Sequence, residues 1–473
     1  MDVKEATRTI QSKLDDSGFL DDVTHAELRD INRVFGELSG QDARQVYDQL
    51  KADGKLDKWV EEMNSGGWFG TGGLSAGEKT DLFNLLAGKL SGAQLADFST
   101  HLSPDDVIAL GKSVASHADG ATAVEYVKAM APRTTEGERV HTDTHARTAK
   151  LTVEDPEARA VGEVLASLPP SAFNEAIKSL TPAQLDAVIK TAAAGSSTLT
   201  ANRAIGSDEI DTSHSVDHDP TLMVQILDNA ARSGDPSIKA KVFLAASTQL
   251  KQMRADLAPT STYLDKDQDL RAVADGMTRL LRSDTNGVLY ELESNLDRDG
   301  GGMIPYTSEM VAQGRGQDLR EIIIDLHKGQ GRDEDPIFRF AFGKQVGMQG
   351  QKEIYHPNAQ TLGYFIGTVQ VGMQAEADGA KASGDLLKNI FGTVAGAAGA
   401  ANPVAGAIAA SANGVFAYSA DSVVESVANE GKDATKALRE LAFPRDPETG
   451  HLYQGPAEND YDATASRVVN ANR

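Results

Sequence analysis

Leu90-Ser-Gly-Ala-Gln-Leu95 runs on to Leu102-Ser103-Pro104, and 78 residues later Leu168-Pro-Pro-Ser-Ala-Phe173 runs on to Leu180-Thr181-Pro182 without a gap. The correspondence continues through Val107 and Leu185, Ala109 and Ala187, and Lys112 and Lys190. A fainter copy lies 52 residues upstream, where Leu38-Ser39-Gly40 leads to Leu50. Ser or Thr before Pro ends one helix and caps the next: the residue before proline is driven out of the α region, and a hydroxyl accepts from an orphan N–H of the new first turn. Each copy therefore reads as three helices separated by breaks. One such unit cannot bury its apolar face alone, so the copies are expected to stack. A packing scaffold is the first expectation and a partner-binding surface the alternative.

Caps and stripes of the same kind recur along the chain. Leu319, Ile322, Ile323 and Leu326 share one helical stripe that ends at Gly329. Thr24 with Glu27 and Ser75 with Glu78 have capping-box spacing, and Asp219-Pro220 reads as an N-cap followed by proline at the first helical position. Alternating apolar strands are scarce. The expected fold class is mainly α: amino-terminal helical repeats, then a helical domain and an Ala/Gly-rich helical hairpin. Residues 133–156 and 195–220 are polar and without periodicity, which predicts linkers or long loops, and a Gly- and charge-rich break falls at 328–336. These breaks delimit a helical repeat region 1–132, a third copy 157–199, a helical domain 218–330, and a domain 337–473 carrying the hairpin 389–420. Trp59, Trp68 and Phe69 lie in a glycine-rich run to Gly73 that is expected to tuck into the stack rather than form an exposed contact.

Composition excludes several functions. Of 473 residues, 46 are Lys or Arg and 69 are Asp or Glu, a net charge of −23 that repels a nucleic-acid backbone. The chain has no cysteine, which removes disulfides, thiolate metal sites and cysteine nucleophiles together. The start Met-Asp-Val-Lys-Glu-Ala-Thr lacks the basic and apolar segments of a signal peptide, so export would use a signal-independent machine.

The candidate ligands are His and carboxylates. His214 and His218 stand four apart among Asp208, Glu209, Asp211, Asp217 and Asp219, a set that zinc or manganese could use if a helix presented both rings. The stretch does not read as helical, and a solvated acidic loop is the simpler expectation. His141 and His145 are read the same way. Asn295-Leu-Asp297-Arg-Asp299-Gly300-Gly301-Gly302 has oxygen ligands at every second residue before a glycine turn, as calcium prefers. The register of a calcium loop then fails: counting from Asn295 puts Tyr306 where the bidentate Glu belongs, and counting from Asp297 leaves Glu309 one place late. Calcium at Asp297 and Asp299 thus stands against an aspartate-capped turn. No Gly-x-Ser-x-Gly, His-Glu-x-x-His, P-loop or dinucleotide fingerprint appears in usable form, so no catalytic residue and no cofactor is assigned and enzymatic activity stays open.

The sharpest departure in the chain is a run of 32 residues without a charge, Asn389 to Ala420, where 24% of all residues are charged. It holds 12 Ala and 5 Gly, and Gly392, Gly396 and Gly399 have the small-residue spacing that lets helices approach closely. Asn402-Pro403 divides it, with Gly406 and Gly414 in the second arm. As helices the arms of 13 and 17 residues would be about 20 and 26 Å long, slightly short of the ~30 Å hydrocarbon core. Gly392, Gly396, Gly399, Pro403, Gly406 and Gly414 are the candidate membrane-inserting positions. A tight antiparallel pair in a soluble core is the competing expectation, since Ala buries little apolar area. Ile354 to Gln374 is a second run without formal charge.

Ser283-Asp284-Thr-Asn286-Gly287-Val288, with Leu292-Glu293, Asp297-x-Asp299-Gly300, Tyr306, Pro357-Asn358-Ala359 and Leu362-Gly363-Tyr364-Phe365, resembles exported effectors and type III translocator-helper proteins of plant-associated Gram-negative bacteria, over residues 270–455. The resemblance implies secretion without a cleavable signal peptide and a mainly helical body acting at a target-cell membrane or in its cytosol. The expected partners are that membrane and a cognate chaperone, immunity protein or host protein; the net charge already argues against nucleic acid. A secreted protein inserting a helical hairpin into a membrane, for pore formation or translocation, is the leading expectation. A non-enzymatic interaction protein or scaffold is the alternative, and a metal-dependent hydrolase using His214, His218 and Asp211 the third.

Overall fold

Residues 1–15, 23–65, 73–135, 139–145, 148–203, 210–256, 266–328, 345–349, 352–355, 358–375 and 456–472 are described in the computed structural model, and they are mainly α-helical. They divide into two units, Met1–Ser233 and Gly234–Arg473. The division falls after the helix 221–231, which packs on residues 156–167, so this helix belongs to the first unit although the composition break placed it in the next segment.

The first unit contains α1 (Val3–Leu14), α2 (His25–Glu37), α3 (Gly40–Ala52), α4 (Leu56–Asn64), α5 (Ala76–Ala87), α6 (Gly92–Phe98), α7 (Pro104–His117), α8 (Gly120–Met130), α9 (Pro156–Ser167), α10 (Pro170–Ser179), α11 (Pro182–Ala193) and α12 (Thr221–Ala231). Polar side chains set where these helices begin. The hydroxyls of Thr24 and Ser75 accept from the third backbone N–H while Glu27 and Glu78 reach back, completing both expected capping boxes. Ser39, Ser91, Ser103, Asp119 and Asp155 cap α3, α6, α7, α8 and α9. Helices start at Gly92 and Pro170 and at Pro104 and Pro182, each pair 78 positions apart. At Asp219-Pro220 the start is one residue later than expected: α12 begins at Thr221, whose N–H donates to the Asp219 carboxylate at 3.2 Å.

Trp59 lies on α4 and is fully buried, stacked on Phe35 with ring centroids 5.2 Å apart and tilted against Phe98 at 5.5 Å. It is core, whereas Trp68 and Phe69 fall outside the described residues. Where α6 crosses α8, a methyl group on Gly92 would sit 2.3 Å from Thr122 O and from Tyr126 N, so the two backbones touch.

The linker expectation is corrected. Residues 133–156 and 195–220 supply β1 (Arg139–His145), β2 (Thr148–Glu154), β3 (Ala194–Arg203) and β4 (Ile210–His218), a four-stranded antiparallel sheet in sequence order. Leu151 pairs with Thr142 on one side and Leu199 on the other. The strands are rich in Thr, Ser, Asp and His instead of alternating apolar residues. The β-branched threonines suit an extended backbone, yet an apolar period cannot register them. Three helices also separate β2 from β3, so no local window contains the pairing.

The second unit contains α13 (Pro236–Asp256), α14 (Lys266–Arg282), α15 (Thr285–Glu291), α16 (Ile304–Ala312), α17 (Gly316–Lys328), the short strands β5 (Gln345–Gln349) and β6 (Lys352–Tyr355), α18 (Asn358–Ala375) and α19 (Pro456–Ala471). On α17, Leu319, Ile322 and Leu326 are buried, as their stripe predicts; Gly329 lies outside the described residues. The second uncharged run begins at the end of β6 and supplies most of α18, where residues 361–373 are buried on every side of the helix, the expected state of a helix with no polar face. Gly392, Gly396, Gly399, Pro403, Gly406 and Gly414, with the whole of 389–420, lie outside the described residues. Among the described residues no helix is long and apolar enough to cross a membrane.

Candidate functional site

The neutral run 389–420 lies between α18 and α19 in sequence, the nearest described elements on either side of it. Gly363 and Gly367 sit one turn apart on α18. A methyl group on Gly363 would lie 2.5 Å from Tyr461 O, and one on Gly367 would lie 3.0 Å from the Val468 side chain and 3.1 Å from Ala465 O. Only glycine allows this backbone approach. The partners ascend together, 363 with 461 and 367 with 465, so α18 and α19 run parallel. The chain therefore leaves the C-terminal end of α18 at Ala375 and returns at the N-terminal end of α19 at Pro456, about 27 Å away along the pair at ~1.5 Å per residue.

A turn from Asp297 to Met303 wedges against both helices. Gly300 has φ +77°, and a methyl group there would be 2.8 Å from Thr368 of α18 and 2.8 Å from Val468 of α19. Both the left-handed backbone and the missing side chain demand glycine. The Asp297 carboxylate organises the turn: Oδ1 accepts from Gly302 N at 2.9 Å, and Oδ2 accepts from Met303 N at 2.9 Å and from the Tyr364 hydroxyl at 2.7 Å. Burial pushes the Asp297 carboxyl above its ordinary value although these three donors pull it down. Burial and the nearby carboxylate drive the Tyr364 phenol well up, so it stays protonated and donates.

The carboxyl-terminal helix is fastened to the same turn. Arg467 of α19 pairs with buried Glu293 at 2.9 Å and donates to Arg298 O at 3.2 Å. Asn472 donates to Asp299 O at 2.7 Å. On the other side of α18, Thr307 of α16 donates to Thr368 O at 2.9 Å, and Gly372 lets the α16 backbone approach. The seven-residue turn 297–303, Glu293 before it and the two helices thus form one clasp.

Asp297 and Asp299 sit in this clasp with different roles. Asp297 directs both oxygens at protein donors, as a turn cap does, and Asp299 has an exposed side chain whose nearest cation is Arg467 at 4.0 Å. His214 and His218 fall on β4, paired with Leu199 and Ala194. Four residues along a strand rise by about 13 Å, where a helix would have brought them within one turn. His141 and His145 fall on β1. Among the described residues no group of three or more His, Asp or Glu is arranged to hold a metal ion.

Gly367 and Arg467 were not singled out by sequence reasoning, and Glu293, Gly363 and Tyr364 stood in quoted runs with no structural role attached. The Gly363-x-x-x-Gly367 spacing, inside the uncharged run 354–374, was a usable signal for close helix approach. Nothing local marks Arg467 as the partner of a residue 174 positions away. Compared with protein-family models, with curated proteins and with solved structures, the chain matches none.

Proposed function

We propose that this protein is a helical carrier for a lipid-directed segment, residues 389–420, and acts as an effector- or translocator-like protein at a target membrane. One observation carries the reading: 32 charge-free residues in a chain of net charge −23, flanked by two helices that are clasped to each other. The clasp supports it physically. Glycine crossings and the Asp297 turn join α18 to α19 through described residues alone, so a segment between them can change surroundings while its anchors hold. The other long uncharged run, α18, is committed to the core of its unit. The anionic body opposes docking on anionic lipid at neutral pH, so zwitterionic membranes, or mildly acidic conditions that protonate carboxylates, favour insertion.

Dye release from phosphatidylcholine vesicles, with and without phosphatidylglycerol, at neutral and mildly acidic pH tests this. Wild type is expected to release dye, and Gly396→Asp combined with Ala409→Asp to abolish release while leaving the helical circular-dichroism signal unchanged. Absence of release by wild type under every condition would sink insertion and leave the helical interaction protein as the reading.

A further inference from the structure

The second unit also has an open cleft of about 510 Å³ whose walls include Thr278, Arg282, Ser283, Arg315 and Asp318. Ser283 follows the last residue of α14 and is exposed. Behind it, in the first turn of α13, lies Lys239, which is 4% exposed. The Lys239 ammonium donates to Ser283 Oγ at 2.8 Å, and the Ser283 hydroxyl donates to Leu280 O at 2.6 Å. Burial lowers the Lys239 pKa against the opposing pull of Asp284, which brings the neutral amine within easier reach.

Arg315 adds an anchor in the same cleft. Its Nε and Nη2 bind Asp318 and Asp275, each at 2.7 Å, while Nη1 is buried without a hydrogen-bond partner. Arg282 binds Asp325 at 3.0 Å and Glu321. A buried N–H with no acceptor is costly, and the guanidinium groups of Arg282 and Arg315 on the cleft wall favour an anionic group there.

We propose that Ser283 is a nucleophile and Lys239 its general base, in a site that cleaves carboxylic esters bearing an anionic group. The neutral Lys239 amine takes the Ser283 proton as Oγ bonds to the ester carbonyl carbon. The C–O bond to the alcohol then breaks, and the proton passes to the departing alkoxide. Water attacks the acyl-serine, Lys239 accepts a proton from that water, and it returns the proton to Oγ as the acid leaves. Spacing and burial resemble the serine–lysine version of nucleophile activation. A lysine that merely tied α13 to the end of α14 would give the same hydrogen bond without reactivity, and the experiment separates the two.

The full-length protein is treated with a fluorophosphonate probe and the adduct mapped by mass spectrometry. Ser283 is expected to be labelled in wild type and Ser283→Ala to lose that adduct. Lys239→Arg, which keeps the cation and hydrogen bond but no accessible neutral form, is expected to label at least about 100-fold more slowly with an unchanged thermal melt. Hydrolysis of mono-4-nitrophenyl succinate should exceed that of 4-nitrophenyl acetate, and Arg315→Gln should remove the preference. Failure to label Ser283 in folded wild type overturns the proposal whatever the variants do, and equal labelling of Lys239→Arg overturns the role of the lysine.

Discussion

In the first unit the helix starts at Thr24, Ser39, Ser75, Ser91 and Ser103 are each capped by a side chain whose donor lies three residues ahead. In the second unit the bonds that close the fold are made by Arg467 and Asn472, which reach back 169 to 174 positions to Glu293 and to the turn at 297–303. The first design is local: each cap works as soon as its helix forms, and packing follows. The second is held by contacts of large sequence separation, whose loop-closure entropy must be overcome before they stabilise anything. A segment inserted between α18 and α19 lengthens that loop but, because closure entropy grows only slowly with length, leaves the clasp affordable.

The contrast can be broken most severely at the glycine crossing. Gly363→Val would press a branched side chain into the Tyr461 backbone, which cannot move aside, and should destabilise the second unit by about 3 kcal/mol or more in a denaturant titration. Hydrogen exchange should report lost protection over 358–375 and 456–472 and little change over 25–52. Next in size is Arg467→Ala, which strands buried Glu293. A loss of about 2–3 kcal/mol is expected, discounted because the arginine is partly exposed, and Arg467→Lys should recover only part of it.

Acidification probes the two units in opposite senses. Asp30 is held below the ordinary carboxylate value by hydrogen bonds from Lys13 and Arg33, Glu78 by His25, Ser75 and Arg29, and Asp119 by the Thr122 N–H. Their stabilisation is fully present above the unfolded value near 4 and is lost as pH falls through the lower folded values. Asp297 is raised, so its contribution is fully present below the unfolded value and is lost as pH rises through the folded one. As pH falls below about 4, exchange protection over 24–37 and 75–87 should therefore fall before that over 297–303. Simultaneous loss would contradict the assignment.

The smallest effects sharpen the local half of the contrast. Ser91→Ala should cost about 1 kcal/mol through the lost cap of α6. Gly36→Ala, at a position of α2 with open space around it, should stabilise by about 0.5–1 kcal/mol. Gly363→Ala, whose methyl group alone would lie 2.5 Å from Tyr461 O, should instead destabilise, so the same change has opposite signs at the two positions in melting curves.

The helical class, both capping boxes and the buried stripe on α17 were legible in the sequence because each depends on residues three or four apart. The sheet β1–β4 was not, since its strands are polar and β2 finds β3 across three intervening helices. The calcium-like spacing at Asp297 and Asp299 was visible, but its meaning depends on Tyr364, 67 positions on, whose hydroxyl meets Asp297. Likewise Ser283 stood in a quoted run with no hint that Lys239 would lie beneath it.

What the sequence determined by itself was therefore the places where helices begin and the unusual neutrality of 389–420, because capping and charge are properties of neighbouring residues. Only tertiary structure decided which helices touch backbone to backbone, which acid became a turn cap and which serine met a buried amine. Those outcomes depend on desolvation and close approach, and both exist only once distant segments are packed together.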